Sequence, residues 1–486
     1  MRVHIHAESP ACLVTLNETM SCYGVVLLST YHISCARWIL PLFPPPSTDY
    51  IVVGGGTASL VATSRLSEIP TVQVLVLEAG LDKTSDPQLQ NPGLWPTLCG
   101  SDLDWQFKTV RQSELSNREQ NLPASKVLTS SSAINGAALL PPSPAGIDTW
   151  SRLGSSSFTL NYPPHEIHLS KGNHPLIQAW NKVFEENGYE FQSDLTLDKS
   201  TVGTRPYTAT IDPESGVRSS ADNQYRCLQE KNRPNLHIVT GATVDRVLFL
   251  SNDSISDEVL APRVQVRLAD GKVAEVKAMK EVILAAGGHP DPQAPRTLWD
   301  RQQSRTGRYG IPPIIDNPGV GENLQNHAMY VQPVRLKPQE GTITPGLVAL
   351  AFVRTGEEAD LAAKYLSPIG PAKVIRENIW GHPEEASANF CLSTRPTSNI
   401  ALLGLIQCHP LSSGSTHISR GRGDPDSQPE IDPRFFSNPI ATSPTLQRFL
   451  DGSAIKVPGD LEAAKALLRA STLTTHHHSV GWSIKI

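Results

Sequence analysis

The chain has 486 residues, 39 % apolar and 18 % charged, with a formal net charge of −5. That length exceeds one ordinary core, so two or more units are expected, and the composition is globular rather than disordered. The weak acidic balance, with no dense basic run, argues against a nucleic-acid partner, and no apolar run reaches the ~18 residues of a membrane span. The 40 prolines point to many irregular connections. Seven cysteines, Cys12, Cys22, Cys35, Cys99, Cys227, Cys391 and Cys408, are odd in number and show no CxxC spacing, so buried thiols are expected rather than disulfides or zinc. The compartment stays open. Arg2 is a weak start for a signal peptide, and the sequons at Asn17 and Asn252 are compatible with secretion, so the cytoplasm is only slightly favoured.

Residues 1–48 show no period and end in Pro44-Pro45-Pro46, which predicts an N-terminal extension. Asp49–Gly54 is a short, β-branched apolar run that ends in glycines, the pattern of a buried strand. Thr57–Ser67 follows as a helix, with Leu60, Val61, Ser64 and Leu66 around its core face, and Val72–Leu77 is the second strand. A βαβ opening of this kind implies a parallel sheet and an α/β fold. Further strands are predicted at Leu236–Thr240, Val244–Leu250, Val264–Leu268 and Val273–Lys277, the last two joined as a hairpin at Asp270-Gly271. Val282–Gly287 is another buried strand running into glycine. Residues 340–411 read as part of a second, largely β region, 412–440 as loop, and Leu461–Leu468 as a short amphipathic helix. No internal repeat is present.

The first motif with chemistry is Gly54-Gly55-Gly56-Thr57-Ala58-Ser59, between strand and helix. A helix N-terminus offers unpaired N–H groups and a positive partial charge to a pyrophosphate. Gly54 allows the tight turn, Gly56 lets backbone approach phosphate, and Ser59 holds the third position, where glycine or alanine allows close helix–strand packing. Glu78 closes the second strand, and a carboxylate there suits a ribose with a free 2′-OH. These residues point to NAD or FAD and do not choose between them.

The choice comes from a resemblance. Lys126-Val-Leu-Thr-Ser-Ser-Ser-Ala-Ile-Asn135-Gly resembles the K-V-L-G-G-S-S-x-x-N pattern of the glucose–methanol–choline (GMC) flavin oxidoreductases. Asp49–Gly80 looks like that family's FAD-binding opening. Asp104-Trp105, Ile147–Trp150, Gly216–Ser220, Arg233–Leu236, Lys280–Leu284 and Gly319–His327 follow in the family's order. The resemblance runs from about Asp49 to Gly481. It implies FAD as cofactor, with Thr57 and Ala58 on the diphosphate, Glu78 and Ala79 at the ribose, and Asn135, Gly136, Ala137 and Ala138 along the flavin end. Val244 would hold the adenine through its backbone. It also implies a Rossmann-like FAD-binding domain over 49–155 and 215–330, interleaved with an α+β substrate domain over 156–214 and 331–470 built on an antiparallel sheet. Two departures stand out. Thr129-Ser130 replace the family's two glycines, and Asp291 and Pro295 replace the serine and leucine of its second signature.

The chain closes on His476-His477-His478-Ser-Val-Gly481. Adjacent histidines in a strand point to opposite faces, and no further His, Cys or carboxylate cluster has ligand spacing, so no metal is expected. A solvated histidine loop is the plain reading. The resemblance instead matches His478 to the histidine that stands over the flavin, as base for a substrate hydroxyl. On that reading 471–486 begins a catalytic segment that continues further in the family. The implied function is oxidation of a small organic alcohol, with the electron acceptor unknown and, by family analogy, a place in fungal secondary metabolism. The rival readings are a non-redox cyclase or lyase on the same fold, or an inactive truncated product.

Overall fold

The computed structural model describes residues 48–139, 143–153, 175–192, 201–206, 209–212, 214–226, 233–250, 260–287, 321–336, 346–354, 356–394, 400–408, 414–417, 428–437, 466 and 469–474. Its centre is a parallel sheet of β1 (Tyr50–Val53), β2 (Val74–Glu78), β6 (Leu236–Thr240) and β10 (Glu281–Leu284), in the order β10-β1-β2-β6. Helix α1 (Thr57–Leu66) makes the crossover from β1 to β2. All five residues of β2 are buried, as expected of a strand covered on both faces.

The two-residue period of the strands sorts their side chains into two cores. Ile51, Val53, Leu75, Leu77 and Val282 pack against Val244, Val264, Val266 and Val276. Those four belong to an antiparallel meander of β7 (Ala242–Leu250), β8 (Leu260–Leu268) and β9 (Val273–Lys277). Val52, Val74, Val76 and Leu236 face the other way, with Leu66 of α1 packed against them. Asn235 locks the turn after α1, its amide donating to the carbonyls of Ser67 (3.2 Å), Ile69 (3.0 Å) and Val72 (2.7 Å).

The second large sheet has six strands: β5 (Gly203–Pro206), β12 (Ala328–Arg335), β13 (Gly346–Val353), β14 (Ala388–Thr394), β15 (Ile400–Gln407) and β18 (Leu473–Thr474). Its order is β18-β12-β15-β14-β13-β5, antiparallel throughout. Helix Pro175–Glu186 covers one face, Trp180 lying in one cluster with Ala349 and Leu392 and Phe184 in another with Val353 and Leu405. Two small sheets complete the set, a ribbon of β3 (Phe107–Lys108) and β4 (Asn121–Leu122), and β11 (Glu322–Leu324) with β16 (Gly414–His417) and β17 (Glu430–Asp432). A parallel α/β sheet beside an antiparallel one is the expected fold class.

Two sequence expectations are corrected. Residues 412–440 are not simply loop, because β16 and β17 lie inside them. The polar Gly-Ser-Thr-His of β16 carries no apolar alternation, yet all four residues are buried. Ile431 of β17, fully buried, anchors the pair in a core with Phe107, Leu122 and Leu324. The stretch 340–411 is β in its three strands but also holds helices Glu358–Tyr365 and Gly370–Ile375. The N-terminal extension up to residue 47 and most of the Leu461–Leu468 helix lie outside the described residues.

Two of the thiols, both only partly buried by surface exposure, give a first test. Burial pushes Cys391 up to about 11, and burial reinforced by the charge of Glu385 pushes Cys408 up to about 12. Almost no thiolate is then present at pH 8, and the thiolate is the nucleophile. Alkylation at pH 8, mapped by peptide mass, is expected to modify both at least ~100-fold more slowly in the folded chain than in urea.

Candidate functional site

The first turn after β1 is shaped by backbone that has no room for side chains. Gly54 has φ +97°, and a Cβ on it would stand 2.6 Å from the carbonyl oxygen of Ala285. That contact fixes the glycine turn against the end of β10. Gly54 N–H donates to Leu77 O (2.8 Å), which places the turn at the carboxyl end of the parallel sheet. Gly56 is the N-cap of α1 and supplies no side-chain cap, and the first turn carries no acidic residue. Thr57 and Ala58, the first two helical residues, are exposed. The helix start is therefore open to an anion on the side where the sheet ends.

Glu78 stands under this turn. One carboxylate oxygen accepts from Gly55 N–H (2.6 Å) and the other from Gly80 N–H (2.7 Å). The side chain is 7 % exposed, and burial raises its pKa above the ordinary value, against the lowering effect of the two N–H groups. Each oxygen keeps a second lone pair for an outside hydroxyl. Ala79, next in sequence, is partly exposed. Ser59 takes a different part from the residues around it. It is fully buried, and its hydroxyl donates to Ala285 O (3.2 Å), so it packs α1 onto β10 and faces away from the opening.

The segment after Lys126 comes alongside. Thr129 N–H donates to Gly55 O (2.8 Å), and Gly56 and Thr129 form a parallel bridge. Thr129 and Ser130 have φ of +80° and +52°. Both residues thus adopt the left-handed region that favours glycine. A left-handed residue costs about 1–2 kcal/mol, and a β-branched one is a marked outlier. Ser130 packs its Cβ against the α-carbon face of Gly56.

Asn135 is held from below. Its Oδ1 accepts from Ala137 N–H (3.0 Å) and from Arg218 Nη1 (2.7 Å). The same Nη1 reaches Asn135 O (2.7 Å), and Nε donates to Leu89 O (3.0 Å). Arg218, 2 % exposed, is thus a buried fork that sets the turn Ser131–Asn135. The sequence carried it only as one letter of a family motif, and its targets lie far away in the chain, so no local signal assigned the role. Gly136 lies beside the Trp95 indole, and Ala137 has φ +58°. Ala137 O accepts from Thr210 N–H (2.8 Å), and Ala138 bridges Ala209. The chain leaving β5 of the six-stranded sheet is thereby pinned to this loop.

Gly54, Gly56, Thr57, Ala58, Glu78 and Ala79 thus gather at one end of the sheet, and Asn135 to Ala138 continue from them through Thr129. Val244 sits elsewhere on the same unit. It is buried in β7 opposite Val266, and the pairing shifts register between Val244 and Arg246. Only its backbone is available to a ligand. His478, Asp291 and Pro295 lie outside the described residues. Among the described residues no group of His, Cys, Asp and Glu gathers as metal ligands, and no helix is long and apolar enough to cross a membrane.

The observed residues fit a dinucleotide: an uncapped helix start, a glycine cradle that a Cβ would fill, and a buried carboxylate with lone pairs to spare. The comparisons with known proteins agree. Residues 48–329 match the family model described as GMC oxidoreductase. The GMC oxidoreductase family protein Mala s 12 of Malassezia sympodialis is 27 % identical over 463 residues, covering 80 % of this chain and 74 % of that protein. An oxygen-dependent choline dehydrogenase of Paraburkholderia phytofirmans is 28 % identical, covering 84 % of this chain and 76 % of its own. An FAD-dependent oxidoreductase from Chaetomium thermophilum superposes with a TM-score of 0.72 at 21 % identity, covering 88 % of each chain, which is a likeness of fold.

Two outcomes follow from this geometry. Arg218→Lys cannot keep the fork, and is expected to cost about 3 kcal/mol, read as a lower Tm and faster proteolysis near Asn135. Glu78→Ala leaves two buried N–H groups without their acceptor, at about 1–3 kcal/mol each. Because its folded pKa is raised, Glu78 contributes most below the ordinary carboxyl value of 4.5, and that part is lost as pH rises through the folded value. The Tm gap between wild type and Glu78→Ala, measured without flavin, should narrow from pH 4.5 upward.

Proposed function

We propose a function from this premise: the chain belongs to the GMC oxidoreductase family and is an FAD-dependent oxidoreductase. On it we assign the oxidation of a CH–OH group in a small or medium organic alcohol of low charge. The observation that carries this reading is the convergence of the Gly54–Gly56 turn, the open start of α1 and Glu78. When bound, FAD supplies an acceptor for the hydride that leaves the alcohol carbon.

The chain's own residues hold the parts. The first N–H groups of α1, at Thr57 and Ala58, take the diphosphate, and Glu78 takes the ribose hydroxyls with Ala79 beside it. Asn135 to Ala138 line the flavin end, their turn set by Arg218. The Val244 backbone borders the adenine. We divide the chain accordingly, with 49–155 and 215–330 around the cofactor and 156–214 and 331–470 around the substrate. The Thr210–Ala137 hydrogen bond supports this division, because it joins the edge of the six-stranded sheet to the flavin-side loop. His478 takes the hydroxyl proton, for which an imidazole of pKa ~6.5 is suited at neutral pH. β18 ends at Thr474, shortly before it in sequence. The choline dehydrogenase relative supports an alcohol, since choline carries a primary hydroxyl.

The test is spectroscopic. The purified chain is expected to show flavin absorption, and one alcohol of a graded panel should bleach it without oxygen and yield a carbonyl product. His478→Ala should retain FAD but slow bleaching by about 10²–10⁴-fold. No uptake of added FAD, or an unchanged rate in His478→Ala, would remove the cofactor or the base from this assignment.

A further inference from the structure

The loop 112–118 is wound tightly and anchored on two sides. Ser116 and Asn117 are both left-handed, at φ +57° and +56°. The loop closes on itself through Gln112 N–H to Arg118 O (3.0 Å) and Arg118 N–H to Leu115 O (3.2 Å). Leu115, fully buried, shares a core with Ala328 of β12 and with Phe435. Gln112 donates through Nε2 to Asp432 Oδ1 (2.9 Å), at the end of β17, and its Oε1 accepts from Phe435 N–H (3.2 Å). None of these anchors uses the side chain of Arg118.

That side chain, partly buried, reaches to the other end of the sequence. Its Nη2 donates to Arg469 O (2.9 Å) and to Thr472 O (2.8 Å), while Nε donates back to Leu115 O (3.2 Å). Residues 469–471 are helical, and the last carbonyls of a helix lack partners within it, so a cation there meets both the orphan acceptors and the negative end of the dipole. Arg469 Nη2 donates in return to Glu114 Oε2 (3.2 Å), a half-exposed pair that adds little alone. Leu473 and Thr474 then pair with Met329 and Ala328 as β18.

Three elements thus close a ring. Leu115 packs with Ala328, Ala328 pairs with Thr474, and Arg118 holds Thr472. β18 has only two residues, which specify its register weakly by themselves. A slip of one residue would move the strand by ~3.4 Å, as much as the whole ~2.6–3.2 Å reach of a general base. His478 follows Thr474 by four residues, a span of at most ~14 Å, so the register of β18 is carried to it. We propose that Arg118 is a positioning residue for the oxidation: by fixing the register of β18 it fixes where the segment bearing His478 begins. This rests on the assignment of His478 as the base.

The test is a double-mutant cycle on the FAD-loaded enzyme, read as the anaerobic rate of flavin bleaching per bound flavin at saturating alcohol. Arg118→Ala should slow bleaching about 10–100-fold, the cost of misplacing a reacting group by an ångström or more. The alcohol concentration that gives half the maximal rate and the flavin spectrum should change little. In the His478→Ala background, Arg118→Ala should slow bleaching by no more than about two-fold, because the group it positions is gone. An unchanged rate in Arg118→Ala overturns the proposal. An equal factor in both backgrounds overturns it too, since a role in the fold alone would act with or without His478. Should Arg118→Ala fail to load FAD, Arg118→Gln takes its place in the same cycle and the same two outcomes decide. A His478→Ala variant as fast as wild type defeats the base assignment together with this proposal, whereas a slowed His478→Ala beside an unchanged Arg118→Ala defeats this proposal alone.

Discussion

The site depends on one carboxylate that faces inward. Glu78 ties Gly55, after β1, to Gly80, after β2, so the ends of two neighbouring strands are held by a single side chain. Without that bridge the turn would have two buried N–H groups and no local acceptor. With it, the glycine turn, the start of α1 and the segment at Thr129 are fixed relative to each other. The same carboxylate is the group expected to meet the ribose. On the proposed assignment, structure and recognition draw on different lone pairs of one residue.

Around this bridge the chain closes by backbone contacts more than by side chains. A Cβ on Gly80 would collide with the backbone of Lys126 and Val127, and Gly80 O accepts from Gly241 N–H (2.9 Å). Close packing of this kind leaves small residues little freedom to change. Where the chain does carry larger ones, at Ser59, Thr129 and Ser130, each shows a specific accommodation. Ser59 gives its hydroxyl to Ala285, and the other two adopt a backbone that L-residues avoid.

How much of this was legible in the sequence depends on how local the signal was. β1, α1 and β2 could be read from apolar runs, glycines and a terminal acid, because central parallel strands are apolar on both faces. The boundaries moved only slightly: the second strand begins at Val74 rather than Val72 and takes in Glu78 itself. β16 was illegible, since its Gly-Ser-Thr-His is buried by what surrounds it rather than by its own composition. The helices between Glu358 and Ile375 were hidden in a stretch whose strands gave the stronger pattern. At the site, the glycines and Glu78 announced themselves. Arg218 did not, because an arginine that reaches distant backbone carbonyls and an amide has no periodic signature. The left-handed state of Thr129 ran against its own propensity, and only its place in a motif hinted at it.

The position of β1 has a consequence for how the protein is made. β1 lies between β2 and β10, with Tyr50 paired to Glu281 on one side and to Val74 on the other. As the chain is synthesised from its N-terminus, one edge of β1 has no neighbour until residues beyond 280 have appeared. An apolar, β-branched edge is then open to wrong partners until β10 has been made. Folding of the cofactor end is limited by a long-range pairing, which is slow in parallel sheets. A chaperone that covers that edge until β10 arrives is expected to raise the yield of folded chain.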